Sequence, residues 1–321
     1  MEKIPVIVVT GATASGKTAL AVEIARLYGG EVISADSMQI YKGMDIATAK
    51  PDEKEMRGIK HHLIDFLPVT EKYSVAEFIE DASRAVDDIV SRGLVPVIAG
   101  GTGLYIDSLI DGVSFSDEPD NTEIRELLKK RRENEGIEVL YEELKKNDPE
   151  AAESIHINNE KRVMRALEVF LLTGETISSR KARSKENGSR YDPVYIGLEY
   201  RDRQKLYDRI NLRADKMFAA GLVEEAAEYY ALENADTASQ AIGYKELKGY
   251  FDGSLTVEEA AENLKQATRR YAKRQMTWFR RNERINRIYC DEEDSSAAIV
   301  VRACSFIDEN EYFRGRRKED V

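Results

Sequence analysis

The chain has 321 residues and a formal charge of −11, with 48 Lys and Arg against 59 Asp and Glu. That length suits two domains, or one domain carrying a large insertion. The negative balance by itself speaks against nucleic acid as a partner, although it says nothing of how the charge is distributed. A hydrophobic fraction of 42% allows a sizeable core, and charges of mixed sign exclude wholesale disorder. Cys290 and Cys304, the two cysteines, exclude a disulfide framework and a cysteine-rich zinc site, and read as inert thiols. Met1 to Val9 lacks the features of a signal peptide, and no apolar run approaches the roughly 18 residues of a membrane span. A soluble cytoplasmic protein is expected.

Ile4 to Val9 is an apolar run that reads as a buried strand of a parallel sheet. A helix is expected from Lys17, with Leu20, Ile24 and Leu27 on one face, stopping at Gly29-Gly30. Glu31 to Ser34 and Leu63 to Phe66 read as the next strands. Ser74-Val-Ala-Glu77 is a capping box before a helix that ends at Gly93. Val95 to Ala99 is a further buried strand, running into Gly100-Gly101-Thr102-Gly103. Strands alternating with helices indicate an α/β fold with a parallel sheet. From Asp117 to about Arg190 the chain is charged and helical, which marks an insertion; Gly188 and Pro193 fall in the return linker. Val194 to Leu198 resumes the sheet. Helices follow over Gln204 to Ala219 and Val223 to Leu232, and Thr256-Val-Glu-Glu259 opens a long helix to about Arg284. Ile285 to Tyr289 is a last strand, and the tail Arg314 to Lys318 is expected to fray.

Gly11-Ala12-Thr13-Ala14-Ser15-Gly16-Lys17-Thr18 satisfies every defined position of G-x4-G-K-[ST], after a buried strand and at the start of a helix. Such a loop curls backbone N–H groups around phosphate oxygens, and the helix N-terminus favours negative charge. Lys17 suits an outer phosphate and Thr18 a Mg2+ ion. A hydrolysis apparatus is incomplete, because Val95 to Ala99 ends in two glycines where a strand ending in Asp would hold the metal. Group transfer is therefore favoured over mechanical NTPase work. Asp36 follows the second strand, where open α/β sheets bind ligands. It suits a general base there, and equally a helix or turn cap. His61, His62 and His156 lack metal-ligand spacing. Tyr271, Trp278 and Phe279 read as packing residues.

GATASGKT at Gly11 to Thr18, SADSMQIYKGMDIATAK at Ser34 to Lys50 and AGGTGLY at Ala99 to Tyr105 closely resemble tRNA dimethylallyltransferases. Arg162 to Val169, Gln240 to Glu246 and Thr268 to Arg280 extend the resemblance over roughly Ile4 to Tyr289. It is of the bacterial type, since no zinc finger follows the core. The resemblance implies a P-loop NTPase-like parallel sheet flanked by helices, formed by residues 1–116 and 191–321, with a helical insertion at 117–190 that contacts tRNA. It also implies transfer of a dimethylallyl group from dimethylallyl diphosphate to N6 of adenosine 37 beside the anticodon, with Mg2+ and release of pyrophosphate, by a monomer. Gly11 to Thr18 would then hold the diphosphate of an isoprenoid, with Arg213 directed at it. Asp36 matches the family's base and Thr13 a loop threonine near the reacting groups. Asp36, Ser37, Met38 and Gln39 match a segment that meets the target base, and Thr102 a contact beside the channel. Arg125 and the stretch Lys161, Arg162, Val163, Met164 and Arg165 match tRNA contacts in the insertion. Gln240, Ala241, Ile242, Gly243, Tyr244 and Lys245 match another near the anticodon loop.

Counting answers the charge objection in part. Residues 262–287 carry nine basic side chains against two acidic, and 160–190 eight against four. Ala219 to Asp236 and Asp291 to Asp294 are wholly acidic in their charges, so the negative excess is segregated. A small-molecule P-loop kinase, a prenyltransferase of free adenine nucleotide and a non-catalytic RNA-binding module are the alternatives. The first leaves the insertion and the basic helix unexplained. The matches in the insertion speak against the second, and the intact phosphate loop with Asp36 against the third.

Overall fold

The run Ile4 to Val9 has no polar face, and its place in the fold explains why. In the computed structural model, which describes residues 3–112, 122–186, 188–232 and 241–318, strand β1 (Ile4–Gly11) lies inside the sheet with Val6, Ile7, Val8 and Val9 fully buried. Helix α1 (Lys17–Tyr28) leads to β2 (Gly30–Ser34), then α2 (Glu53–Met56) and β3 (His61–His62). Next come α3 (Val75–Ser91), β4 (Val95–Gly100) and α4 (Gly103–Ile110). The sheet resumes at β5 (Tyr191–Glu199), followed by α10 (Arg203–Ala219), α11 (Leu222–Tyr230), α12 (Tyr244–Phe251), α13 (Val257–Phe279), β6 (Ile285–Tyr289) and α14 (Ser296–Ile307). Between them lie α5 (Thr122–Glu135), α6 (Ile137–Asn147), α7 (Pro149–Ser154), α8 (Glu160–Thr173) and α9 (Ile177–Glu186).

The six strands are all parallel, in the order β3-β2-β4-β1-β5-β6. The chain moves outward from β1 past β4 to β2 and β3, then returns to the other side of β1 with β5. Such a reversal of strand order opens a crevice at the carboxyl ends of the strands. The phosphate loop, Asp36 and the glycine loop all sit at those ends.

The chain divides into two compact units, one of Met1–Leu109 with Tyr191–Val321 and one of Ile110–Arg190. The first packs α1 and α14 on the sheet through Leu20, Ile24, Ala303, Cys304 and Ile307. Beside its sheet, α11, α12 and α13 bury Leu222, Tyr229, Tyr244 and Leu264 with Tyr41 and Met44. The second is helical throughout its described residues, around Leu128, Leu140, Leu144, Val163 and Leu167. Asp117, where the sequence reading begins the insertion, lies outside the described residues.

Four local expectations change. The third strand is His61–His62, because Leu63 and Asp65 take left-handed backbone that breaks a strand. Pro193 lies within β5 opposite Val6; β6 pairs only from Tyr195 onward, so the proline leaves no hydrogen bond to that neighbour unmade. Helix α13 stops at Phe279, short of Arg284. The tail does not fray through Lys318: its N–H donates to the Leu27 carbonyl, and Arg317 pairs with Asp308.

Gly103 shows how closely α4 meets α13. A Cβ there would stand 2.3 Å from the Trp278 ring, whose Nε1 donates to Asp107 at 2.7 Å. Gly103→Ala should therefore lower stability by about 1–3 kcal/mol. Urea unfolding monitored by circular dichroism measures this, and an unmoved midpoint would show that the contact yields freely.

Candidate active site

The phosphate loop is shaped by its backbone. Gly11 has φ 147°, and a Cβ on it would lie 2.5 Å from the Leu198 carbonyl oxygen. Gly16, at φ 101°, starts α1. Ala14 between them is left-handed at φ 62°. Lys17 is folded back, its Nζ donating to the Ala12 carbonyl at 2.7 Å.

In front of this loop is a cavity of about 330 Å³. Thr13, Lys17 and Thr18 line one side and Asp36, Ser37, Met38 and Gln39 another, with Arg213 of α10 among the remaining walls. Burial and the facing Arg213 guanidinium push the Lys17 ammonium down to about 8, with Asp36 pulling partly the other way. Burial lowers Arg213 too, against the pull of Asp36 and Glu55. Asp36 is the one carboxylate among the described lining residues. Three cations, Lys17, Arg213 and Arg274, against one carboxylate around a partly open cavity call for an anionic ligand.

Asp36 also makes the turn that its residue type suggests. Its Oδ1 accepts from the N–H of Met38 at 2.9 Å and of Gln39 at 3.4 Å. Among the described residues none donates a hydrogen bond to Oδ2. Capping and proton acceptance are thus compatible, since the turn holds one oxygen and orients the other. The Gln39 amide donates to the carbonyls of Thr48 and Ala49 at 3.2 Å. Thr102 accepts the Ser37 N–H on its hydroxyl at 3.1 Å. The β4 terminus is glycine for a steric reason: a Cβ on Gly100 would stand 2.2 Å from the Ala35 carbonyl oxygen. No metal-holding Asp fits at that position.

Other expected residues are dispersed. Ala241 and Ile242 line the cavity, whereas Tyr244 is fully buried, stacks on Tyr229 and donates to Glu225 at 2.8 Å. Gly243 caps α12 and Lys245 is exposed; Gln240 lies outside the described residues. In the helical unit, Arg125 and Arg165 both pair with the buried carboxylate of Glu168, at 2.7 and 3.1 Å. Lys161 and Arg162 are exposed, but Val163 is a core residue and Met164 packs against that core.

Three features escape a sequence reading. Leu264, Thr268, Tyr271 and Gln275 repeat at helical spacing along α13 and all line the cavity, as does Arg274. Tyr271 is therefore a wall of the site, where packing was expected. Glu225, in the acidic stretch, accepts the successive N–H groups of Asp45, Ile46 and Ala47 at 2.7–2.9 Å, holding the loop that supplies Ala47, Thr48 and Ala49 to the cavity. Lys50 bridges Asp45 and Asp65 at 2.5 and 2.6 Å. Glu31, His62 and Asp88 approach one another as metal ligands would, but the Arg92 guanidinium bonds to both carboxylates. Cys304 is buried, and burial raises the Cys290 thiol to about 11.

Residues 39–282 match the family described as IPP transferase. The chain belongs to this family. A tRNA dimethylallyltransferase of Acetivibrio thermocellus is 50% identical over 297 residues, covering 92% of this chain and 95% of that protein. The crystal structure of a tRNA isopentenylpyrophosphate transferase of Staphylococcus epidermidis is similar at 41% identity and a TM-score of 0.69, over 96% of this chain and 100% of the other. A eukaryotic dimethylallyltransferase described as acting on tRNA gives a TM-score of 0.80 at 27% identity, over 99% of this chain and 81% of that one. These likenesses confirm the α/β P-loop-like fold and the transferase class for this IPP transferase, so the kinase alternative is set aside.

The Lys17 environment has a measurable consequence. Below about pH 8 its ammonium is charged in the empty site; above it, an anion must bring a proton with it. Affinity for inorganic pyrophosphate should fall as pH rises through 8, with proton uptake seen by calorimetry in buffers of different ionisation enthalpy. Lys17→Arg, charged throughout, should lack that component; identical profiles for the two proteins would refute the assignment.

Proposed function

We propose that this IPP transferase moves the dimethylallyl group of dimethylallyl diphosphate to N6 of adenosine 37 in the tRNA anticodon stem-loop, releasing pyrophosphate. It acts as a cytoplasmic monomer in this reading. The observation that carries it is the cavity with the phosphate loop, Lys17 and Arg213 on its walls and Asp36 as the one carboxylate among the described lining residues. An exocyclic adenine amine is a weak nucleophile, because its lone pair is delocalised into the ring. As its nitrogen bonds to the allylic carbon, the bond from that carbon to the diphosphate oxygen breaks. Asp36 takes the N6 proton, a contribution of about 10²–10⁴ in rate for a well-placed base. Lys17, Arg213 and the loop amides stabilise the charge that develops on the leaving diphosphate. Thr13, which lines the cavity with Lys17 and Thr18, suits a place near the reacting groups.

A divalent cation fits this donor set. Thr18 supplies a hard hydroxyl oxygen and Asp36 is the one carboxylate among the described lining residues, which suits Mg2+ completing its shell with phosphate oxygens and water. When bound, it would neutralise charge on the diphosphate.

The target base has to leave its stack to enter the cavity, and anticodon-loop bases are the ones most readily extruded. Arg125, Arg165, Lys161 and Arg162 are exposed on the helical unit and suit backbone phosphates.

Labelled dimethylallyl diphosphate offered with unmodified tRNA, AMP or ATP should label tRNA alone. Label entering AMP or ATP would favour the free-nucleotide reading, and no transfer would refute both. Asp36→Ala should cut single-turnover transfer by about 10²–10⁴ while tRNA affinity by filter binding stays within a few-fold. Retained turnover would remove Asp36 as the base.

A further inference from the structure

Gln275 lies on α13, remote in sequence from both the phosphate loop and the Asp36 segment. It is only 5% exposed, and both ends of its amide are engaged by loops of the site. Its Oε1 accepts the Thr13 N–H at 2.8 Å, and its Nε2 donates to the Gly101 carbonyl at 3.0 Å. Tyr271, one turn earlier on α13, lines the same cavity, and Thr102 directly follows Gly101 in the chain. Thr102 receives the N–H of Ser37, the residue after Asp36. One amide thus stands between the loop suited to the leaving group and the segment suited to the acceptor base. Gly101 makes room for it, since a Cβ there would lie 2.2 Å from Nε2.

We propose that Gln275 is a positioning residue for the transfer reaction, setting the separation of the phosphate loop from the Asp36 turn. The proposal rests on the prenyl-transfer reading above. The Thr13 N–H is already bonded to Gln275 and is not among the loop amides left for the diphosphate, so the amide fixes Thr13 without competing for that ligand. The remaining loop amides and Lys17 still bind it. Losing Gln275 should therefore disturb alignment in the transition state far more than binding of the diphosphate, and a misplacement of about 1 Å is enough for roughly 10² in rate.

Gln275→Met keeps the length and bulk while removing both hydrogen bonds. Single-turnover transfer from dimethylallyl diphosphate to tRNA should fall about 10²-fold. The dissociation constant for inorganic pyrophosphate, by calorimetry, should stay within about threefold, at a temperature where thermal unfolding shows both proteins folded. Unchanged transfer overturns the proposal. So does a parallel loss of turnover and pyrophosphate affinity, which would make Gln275 a plain support of the loop. If the methionine variant does not fold, Gly101→Ala is decisive. Its methyl group displaces the amide and must give the same split of rate from affinity, and a normal rate overturns the proposal. The wild-type protein in the same assay separates the two readings: if it transfers no label, the reaction itself is misassigned.

Discussion

Three cations gathered on the walls of one cavity, Lys17, Arg213 and Arg274, are the constraint on which the site depends. Lys17 and Arg213 each lose hydration, and the Arg213 charge lowers the affinity of Lys17 for its proton. Asp36, with Glu55 acting on Arg213, offsets only part of that cost. The arrangement persists because the surrounding backbone holds it. The buried strand β1 aims the loop, the left-handed residues of the loop turn it, and α10 carries the guanidinium into the same cavity. The imbalance is relieved when a polyanion arrives, and it returns when that anion leaves. A phosphate cradle of this kind needs no hydrolytic water, which accords with the glycine that closes β4.

The acceptor side is built from a different principle, the capture of loop backbone by half-buried side chains. Glu225 gathers three successive N–H groups, Gln39 holds two carbonyls and Lys50 joins two carboxylates to the Tyr41 carbonyl. These contacts turn Met38 to Lys50, which has almost no regular structure, into a fixed wall. A loop fixed in this way presents a preformed surface to a flipped base, and so limits the ordering that binding would otherwise require.

Much of this was legible in the chain, for identifiable reasons. The phosphate loop, the buried strands and the capping boxes at Ser74 and Thr256 are local patterns, and their residues do locally what their chemistry dictates. Asp36 was legible as a turn former and as a base, and its geometry accommodates both. The losses come where tertiary contact decides. The α13 face was hidden because Thr268, Tyr271 and Gln275 are scattered among arginines and lysines that dominate any charge count. Glu225 was hidden in an acidic stretch where its described acidic neighbours, Glu224 and Glu228, are exposed surface groups. Val163 shows the converse: a residue inside a basic stretch that belongs to the core. The tail seemed free because its anchor, the Leu27 carbonyl, is almost three hundred residues away.

The position of the helical unit within the chain also governs the order of events during synthesis. β1 is bonded to β4 on one side and to β5 on the other, and β5 begins only at Tyr191. Every residue of Ile110–Arg190 leaves the ribosome before the sheet can close around its central strand. That unit has its own core, and Ser189 near its end donates to the Ile110 carbonyl at its start. Its two ends are thus clasped together, which shortens the effective loop separating β4 from β5. An insertion that folds early and brings its own ends together hands the nascent chain back beside β1, so the long detour adds little to the entropy of completing the sheet.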